Sequence, residues 1–67
     1  MQVGDKVVIL EDYYNDKRFI GKIGTIVRID MFRKHPYHVR VSYDNFTLYR
    51  YCKARPLTLL EKELNEE

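Results

Sequence analysis

The chain of 67 residues has room for one small hydrophobic core and therefore predicts one domain. Hydrophobic residues make up 45% of it and charged residues 33%, a composition that excludes a disordered tail and predicts a well-solvated surface. No apolar run approaches the ~18 residues of a membrane span. The absence of a signal-peptide pattern and the single cysteine, Cys52, together predict a cytoplasmic protein.

The formal net charge of +2 is unevenly distributed along the chain. Residues 1–27 are neutral overall, residues 28–55 carry seven basic and two acidic side chains, and residues 56–67 carry one basic and four acidic side chains. The middle of the chain therefore predicts a basic face for an acidic partner. The alternative is that the acidic C-terminal residues fold near that face and neutralise it.

The first predicted strand is Lys6–Leu10, which is apolar on both faces. The segment that follows, residues 11–21, has no hydrophobic period. Asp12, Asn15 and Asp16 favour turns there because their side chains can bond nearby backbone amides. We therefore predict a long first loop rich in aromatic and charged residues.

Period-2 patterns predict the next three strands. Strand two is predicted at Thr25–Met31 and strand three at Tyr37–Tyr43, where tyrosine and valine alternate with polar residues. Asp44 and Asn45 tolerate left-handed backbone geometry, so they predict a two-residue hairpin turn. Strand four is predicted to run from Phe46 to about Tyr51.

Two patterns overlap in the last part of the chain. Lys53–Pro56 predicts a short 3₁₀ turn, after which Leu57–Leu60 can supply a closing fifth strand. The spacing of Leu57, Leu60 and Leu64 is also helical, with good helix formers between them. We predict a single domain over residues 1–60 that ends in the strand, followed by an acidic C-terminal tail, 61–67, that is frayed or partly helical.

Four segments resemble the SH3-like barrel superfamily: Val3–Leu10, Gly21–Val27, Tyr37–Val41 and the closing Leu57. The likeness covers about residues 3–60 and extends to KOW-like modules and to the short YorP-type proteins of bacilli and their phages. It implies an all-β fold, a small five-stranded SH3-like barrel. It also implies a small bacterial or phage protein that acts as a noncatalytic binding module.

Aromatic side chains are the first candidates for binding, because a tyrosine presents a rigid apolar ring with a polar hydroxyl. The chain has six tyrosines and three phenylalanines. The alternative is that several of these rings cover the ends of a small core. We predict protein–protein recognition through the first long loop and one face of strand four, with the rings of Tyr13, Tyr14, Phe19, Tyr49 and Tyr51.

A basic strip predicts an alternative function, binding of RNA or single-stranded DNA, in which cations contact phosphates and rings stack on bases. Arg28, His38 and Arg40 are expected to point outward from adjacent strands. The structural alternative is a solvated face crossed by cross-strand ion pairs, such as Asp30 with an arginine. The predicted nucleic-acid residues are Arg33, Lys34, His38, Arg40, Arg50 and Lys53.

No metal site, cofactor or catalytic site is predicted. His35 and His38 could approach a metal with Cys52, but Pro36 prevents a helix, and residues three apart in a strand point to opposite faces. No nucleophile motif or phosphate-binding glycine loop is present, so the chain is not expected to be an enzyme. We expect a monomer; a further alternative is a structural subunit of a larger complex that docks through Leu57–Leu64 or a strand edge.

Overall fold

The computed structural model describes residues 1–65, which form one antiparallel β-sheet and short helical segments. The mostly β fold predicted from the sequence is confirmed. No helix among these residues is long and apolar enough to cross a membrane. The strands are β1 (Lys6–Asp12), β2 (Ile23–Ile29), β3 (Tyr37–Tyr43) and β4 (Phe46–Pro56), and the helices are the 3₁₀ helix η1 (Lys17–Phe19) and the α-helix α1 (Leu59–Leu64).

Each strand pairs with the next in antiparallel orientation, and β4 also pairs with β1, so the hydrogen-bonded pairs form a ring. The ring closes because β4, with 11 residues, is long enough for two neighbours. Its residues 46–52 pair with β3, and its residues 52–56 pair with β1. Cys52 stands where the two pairings meet, between Tyr37 and Asp12.

The end of the domain differs from the prediction. The 3₁₀ turn predicted at Lys53–Pro56 is wrong, because these residues continue β4 and pair with β1. The fifth strand predicted at Leu57–Leu60 is also wrong, since residues 1–65 contain four strands and α1 begins at Leu59. One long strand takes the place that two short strands had in the prediction.

Helix α1 begins at Leu59 because a capping box precedes it. The Thr58 hydroxyl accepts a hydrogen bond from the Glu61 N–H at 3.2 Å, and the Glu61 carboxylate accepts one from the Thr58 N–H at 2.9 Å. The Arg55 guanidinium donates to both Glu61 carboxylate oxygens at 2.8 and 3.1 Å, which ties α1 to the end of β4. Glu66 and Glu67 of the predicted acidic tail lie outside the described residues.

The inward side chains of the strands meet in one small core. On β3, alternation buries Val39 and Val41 and leaves Arg40 and Ser42 exposed. A Cβ atom at Gly24 would collide with Val39 and would lie 2.8 Å from the Arg40 carbonyl oxygen, so the close approach of β2 to β3 requires a glycine. The core consists of Val7, Ile9, Phe19, Ile26, Val39, Val41 and Cys52.

The two-residue turn predicted between β3 and β4 is confirmed. Asp44 and Asn45 have φ angles of 52° and 68°, in the left-handed region that these residue types tolerate. Tyr43 pairs with Phe46 across the turn, and this contact fixes the register of the remaining pairs in the hairpin. The turn thereby decides which outward side chains of β3 and β4 lie side by side.

Candidate binding surface

Strands β2, β3 and β4 carry a continuous outward face of basic and aromatic side chains. His38 pairs with Tyr51 and Arg40 pairs with Tyr49 across the hairpin, while Arg28 of β2 pairs with His38 from the other side. Cross-strand partners point to the same side of a sheet. With one residue of the β2–β3 loop added, these residues form what we call the basic–aromatic face: Arg28, Arg33, His38, Arg40, Tyr49 and Tyr51.

Stacking holds Tyr51 in place within this face. The His38 and Tyr51 rings are inclined by only 9°, with centroids 4.2 Å apart. The guanidinium carbon of Arg33 lies 4.4 Å from the centroid of the Tyr51 ring, within cation–π range. The Tyr49 ring lies 5.7 Å from that of His38, and the residue is 54% exposed. Tyr51 is therefore engaged by its neighbours, whereas Tyr49 offers much of its surface to a ligand.

The β2–β3 loop sets the position of Arg33. The Arg33 Nε donates a hydrogen bond to Asp30 Oδ2 at 3.2 Å, and Asp30 Oδ1 accepts one from the Phe32 N–H at 3.1 Å. The Asp30 N–H donates to the Pro36 carbonyl oxygen at 2.8 Å and closes the loop. The expected pair between Asp30 and an arginine thus exists, but it lies within one loop and does not cross between strands.

The positive charge of the basic–aromatic face is only partly neutralised. Within the described part of the chain, Asp30 is the only carboxylate in a salt bridge with this face, and Arg28 and Arg40 form none. Partial burial, followed by the charges of Arg28 and Arg33, holds the pKa of His38 below its ordinary value. At neutral pH the face is therefore positive through its arginines, with His38 uncharged.

A second cluster lies at the end of β1 and the start of the loop that follows it. In this cluster the side chains of Tyr13 and Tyr14 point outward. The buried Asp12 carboxylate accepts hydrogen bonds from Arg50 at 2.6 and 2.9 Å and from the Tyr14 and Asp16 amides at 3.0 Å. Burial opposes ionisation of Asp12, but these donors outweigh it and hold the Asp12 pKa below its ordinary value. Tyr13 and Tyr14 are 53% and 71% exposed, with ring centroids 4.8 Å apart.

Phe19 and Arg50 point into the domain, which corrects the roles predicted for them. Phe19 is 1% exposed and belongs to the core, so its ring does not take part in a binding surface. The Arg50 guanidinium lies 4.6 Å from the Phe19 ring centroid, on the side of β4 opposite to Tyr49 and Tyr51. Strand alternation requires this placement, and that signal was available in the sequence.

Lys34 and Lys53 flank the basic–aromatic face without joining its rings. Lys34 is exposed in the β2–β3 loop. The Lys53 Nζ lies 3.6 Å from Glu11 Oε2, and Glu11 Oε1 lies 3.1 Å from Nε2 of the buried His35. This three-residue group was not predicted, because its members come from β1, β4 and a loop that are distant in sequence.

Two open grooves lie beside the C-terminal end of α1. One, of about 340 Å³, runs between Lys6 and Lys62. The other, of about 350 Å³, reaches the basic–aromatic face at Arg40, where Ser42 and Thr47 add hydroxyl groups. Among residues 1–65, no three His, Cys, Asp or Glu side chains are grouped so that they could hold a metal ion.

No protein-family model matches the chain, and neither a curated protein nor a solved structure matches it significantly.

Proposed function

We propose that the chain is a noncatalytic binding module of the SH3-like barrel type, and that its basic–aromatic face binds single-stranded nucleic acid, RNA or DNA. A ring of four paired strands around one core supports the barrel assignment. One observation carries the function. Arg28 and Arg40, which form no salt bridge within residues 1–65, share a face with the exposed ring of Tyr49. Cationic side chains bind phosphates, and exposed aromatic rings stack on bases.

The exposed ring of Tyr49 favours a single strand over a duplex. Tyr49 is 54% exposed, whereas the Tyr51 ring is already stacked on His38 and contacted by Arg33, so Tyr49 is the ring of this face that can take a base. The bases of a duplex are stacked on one another, whereas the unstacked bases of a single strand can lie on an aromatic side chain. Arg40 lies beside Tyr49 across the hairpin, so a cation that can contact a phosphate accompanies this ring.

The salt dependence of binding tests this function. A labelled oligothymidylate or oligouridylate of about ten nucleotides matches the site sizes of small single-strand-binding folds. Arg40→Ala is expected to reduce the slope of log K against log salt by about 0.7, since one phosphate contact is lost. Tyr49→Ala is expected to cost about 1–3 kcal/mol of binding free energy, as loss of base stacking does.

Lys17→Ala is the matched control, because Lys17 is an exposed cation of η1 outside the basic–aromatic face. It should leave both affinity and salt slope close to those of the wild type. Failure of the wild type to bind either oligonucleotide at about 50 mM salt, where phosphate contacts are strong, would reject the function. Equal losses in Lys17→Ala and Arg40→Ala would show attraction by net charge without a defined site.

A second function, protein–protein recognition, is supported by a separate observation. The Asp12 carboxylate binds the amides of the loop and thereby presents Tyr13 and Tyr14 as an ordered, exposed pair of rings. Ordered aromatic side chains lose little entropy on binding and often anchor protein interfaces. Tyr14→Ala should then abolish capture of a protein partner while the midpoint of thermal unfolding stays nearly unchanged.

A further inference from the structure

We propose that Arg28, Arg33 and His38 form the seat of one phosphate group of the bound strand, and that His38 takes up a proton from solvent when the phosphate binds. This proposal deepens the nucleic-acid function and rests on it. It assigns to the face one defined anion site and a measurable signature, a change in protonation.

Three structural elements bring the members of this phosphate seat together. Arg28 lies directly across from His38 on β2. The His38 ring stacks on Tyr51, and Arg33 from the β2–β3 loop packs on the same Tyr51 ring. His38 therefore lies near two arginines that come from different elements, and both charges act on its imidazole, so an anion drawn to them would also lie near this ring.

The Arg33 guanidinium is suited to an anion because its place is already determined. Asp30 binds its Nε, and its guanidinium carbon lies over the Tyr51 ring. Within residues 1–65 its terminal nitrogens form no hydrogen bond, and 49% of the side chain is exposed. A phosphate oxygen can accept hydrogen bonds from these nitrogens without first breaking a contact.

The imidazole of His38 responds to an anion because of what surrounds it. The groups that face it are Arg28 from β2, Tyr49 and Tyr51 from β4, and Arg33 from the loop, and no carboxylate of the described residues forms a salt bridge with it. Burial and the two arginines hold its pKa low in the free protein. A phosphate between the arginines offsets their repulsion of a proton and raises the His38 pKa.

The expected pH dependence of binding follows from linkage. Because the pKa of His38 is higher in the complex than in the free protein, affinity rises as pH falls through the pKa of the complex, and it levels off below the pKa of the free protein. Each unit of difference between the two pKa values corresponds to about a tenfold change in affinity.

The test measures the dissociation constant of the labelled oligothymidylate at about pH 5.5 and about pH 7.5, at constant ionic strength. These two values lie on either side of the ordinary histidine pKa of about 6.5. The wild type should bind more tightly at the lower pH, by up to about tenfold for one unit of pKa change. His38→Phe keeps a ring against Tyr51 but cannot titrate, so its affinity should be independent of pH. His35→Gln, the matched control at the other histidine, should retain the wild-type dependence.

Nuclear magnetic resonance of the wild-type protein gives a second measurement that does not depend on any variant folding. The His38 ring proton should report a higher pKa with the oligonucleotide than without it. Binding of the oligonucleotide without a change in the His38 pKa would overturn the phosphate seat and leave the nucleic-acid function standing. Absence of oligonucleotide binding at either pH would overturn both. An equal rise in the His38 pKa with oligoglutamate would overturn the assignment to phosphate and indicate a site for acidic peptides.

Discussion

Two arginine–aromatic clusters in this molecule place the same residue types in opposite surroundings, one buried and one partly exposed. Arg50 packs on Phe19 and binds Asp12, whose side chain is fully buried, while Arg33 packs on Tyr51 and binds the partly exposed Asp30. The contact of guanidinium with ring is common to both clusters, and the burial of the carboxylate is what differs between them. A buried pair must be complete for the domain to fold, whereas a hydrated pair can give its charge to a ligand.

The largest difference between the clusters is expected when each aspartate is removed. Asp12→Ala leaves Arg50 without its buried partner and leaves the Tyr14 amide without an acceptor, so it should lower the free energy of unfolding by about 3–5 kcal/mol. Asp30→Ala breaks a hydrated ion pair and one exposed hydrogen bond from the Phe32 amide, and it should cost at most about 1 kcal/mol. Urea unfolding of the two variants and the wild type measures both values.

Asp12→Asn keeps the shape of the side chain and guards against a variant that is wholly unfolded. It should lie between Asp12→Ala and the wild type, because the amide oxygen can still accept one hydrogen bond. Equal losses of stability in Asp12→Ala and Asp30→Ala would contradict the distinction between the two clusters.

One aromatic ring from the core and one from the basic–aromatic face extend the comparison, and the expected loss of stability at the core ring is similar to that of Asp12→Ala. Phe19→Ala opens a cavity in the core and should cost about 3–5 kcal/mol of stability. Tyr49→Ala removes a ring from the basic–aromatic face, and its effect on the free energy of unfolding should stay within about 0.5 kcal/mol.

Phe19→Leu preserves most of the buried volume and is the less destabilising variant at this core position. Thermal unfolding followed by circular dichroism ranks the three variants. A loss of more than about 2 kcal/mol in Tyr49→Ala would be on the scale of a core truncation and would show that its ring has a structural role.

The smallest expected effect concerns the charge of the basic–aromatic face. Arg40 forms no salt bridge within residues 1–65, so Arg40→Thr removes one of several like charges and introduces a good strand former, and stability should stay constant or rise by about 0.5 kcal/mol. Arg55→Thr is the control, because Arg55 has a bidentate partner in Glu61 and its loss should lower stability slightly.

Urea unfolding at low ionic strength gives the clearest comparison of these two variants, since salt screens exposed charges. A greater loss of stability in Arg40→Thr than in Arg55→Thr would mean that Arg40 stabilises the fold and is not free to bind a ligand.

Local chemistry in the sequence accounts for part of this surface. The alternation along Tyr37–Tyr43 and the Asp44–Asn45 turn determine which residues of β3 point outward and how they pair with β4. The same turn implies that His38 lies beside Tyr51. The capping box of Thr58 and Glu61 was likewise present in the sequence, and it explains why a helix forms where a strand was predicted.

Sequence patterns with a short range, the alternation on β3 and its two-residue turn, were sufficient to predict a mostly β fold and an outward row that includes His38 and Arg40. The tertiary structure alone decided that β4 closes the ring against β1, that Phe19 and Asp12 are buried, and that Arg33 lies on Tyr51. The physical reason is distance along the chain: these contacts join segments whose approach depends on the packing of the whole core, and no local propensity encodes it.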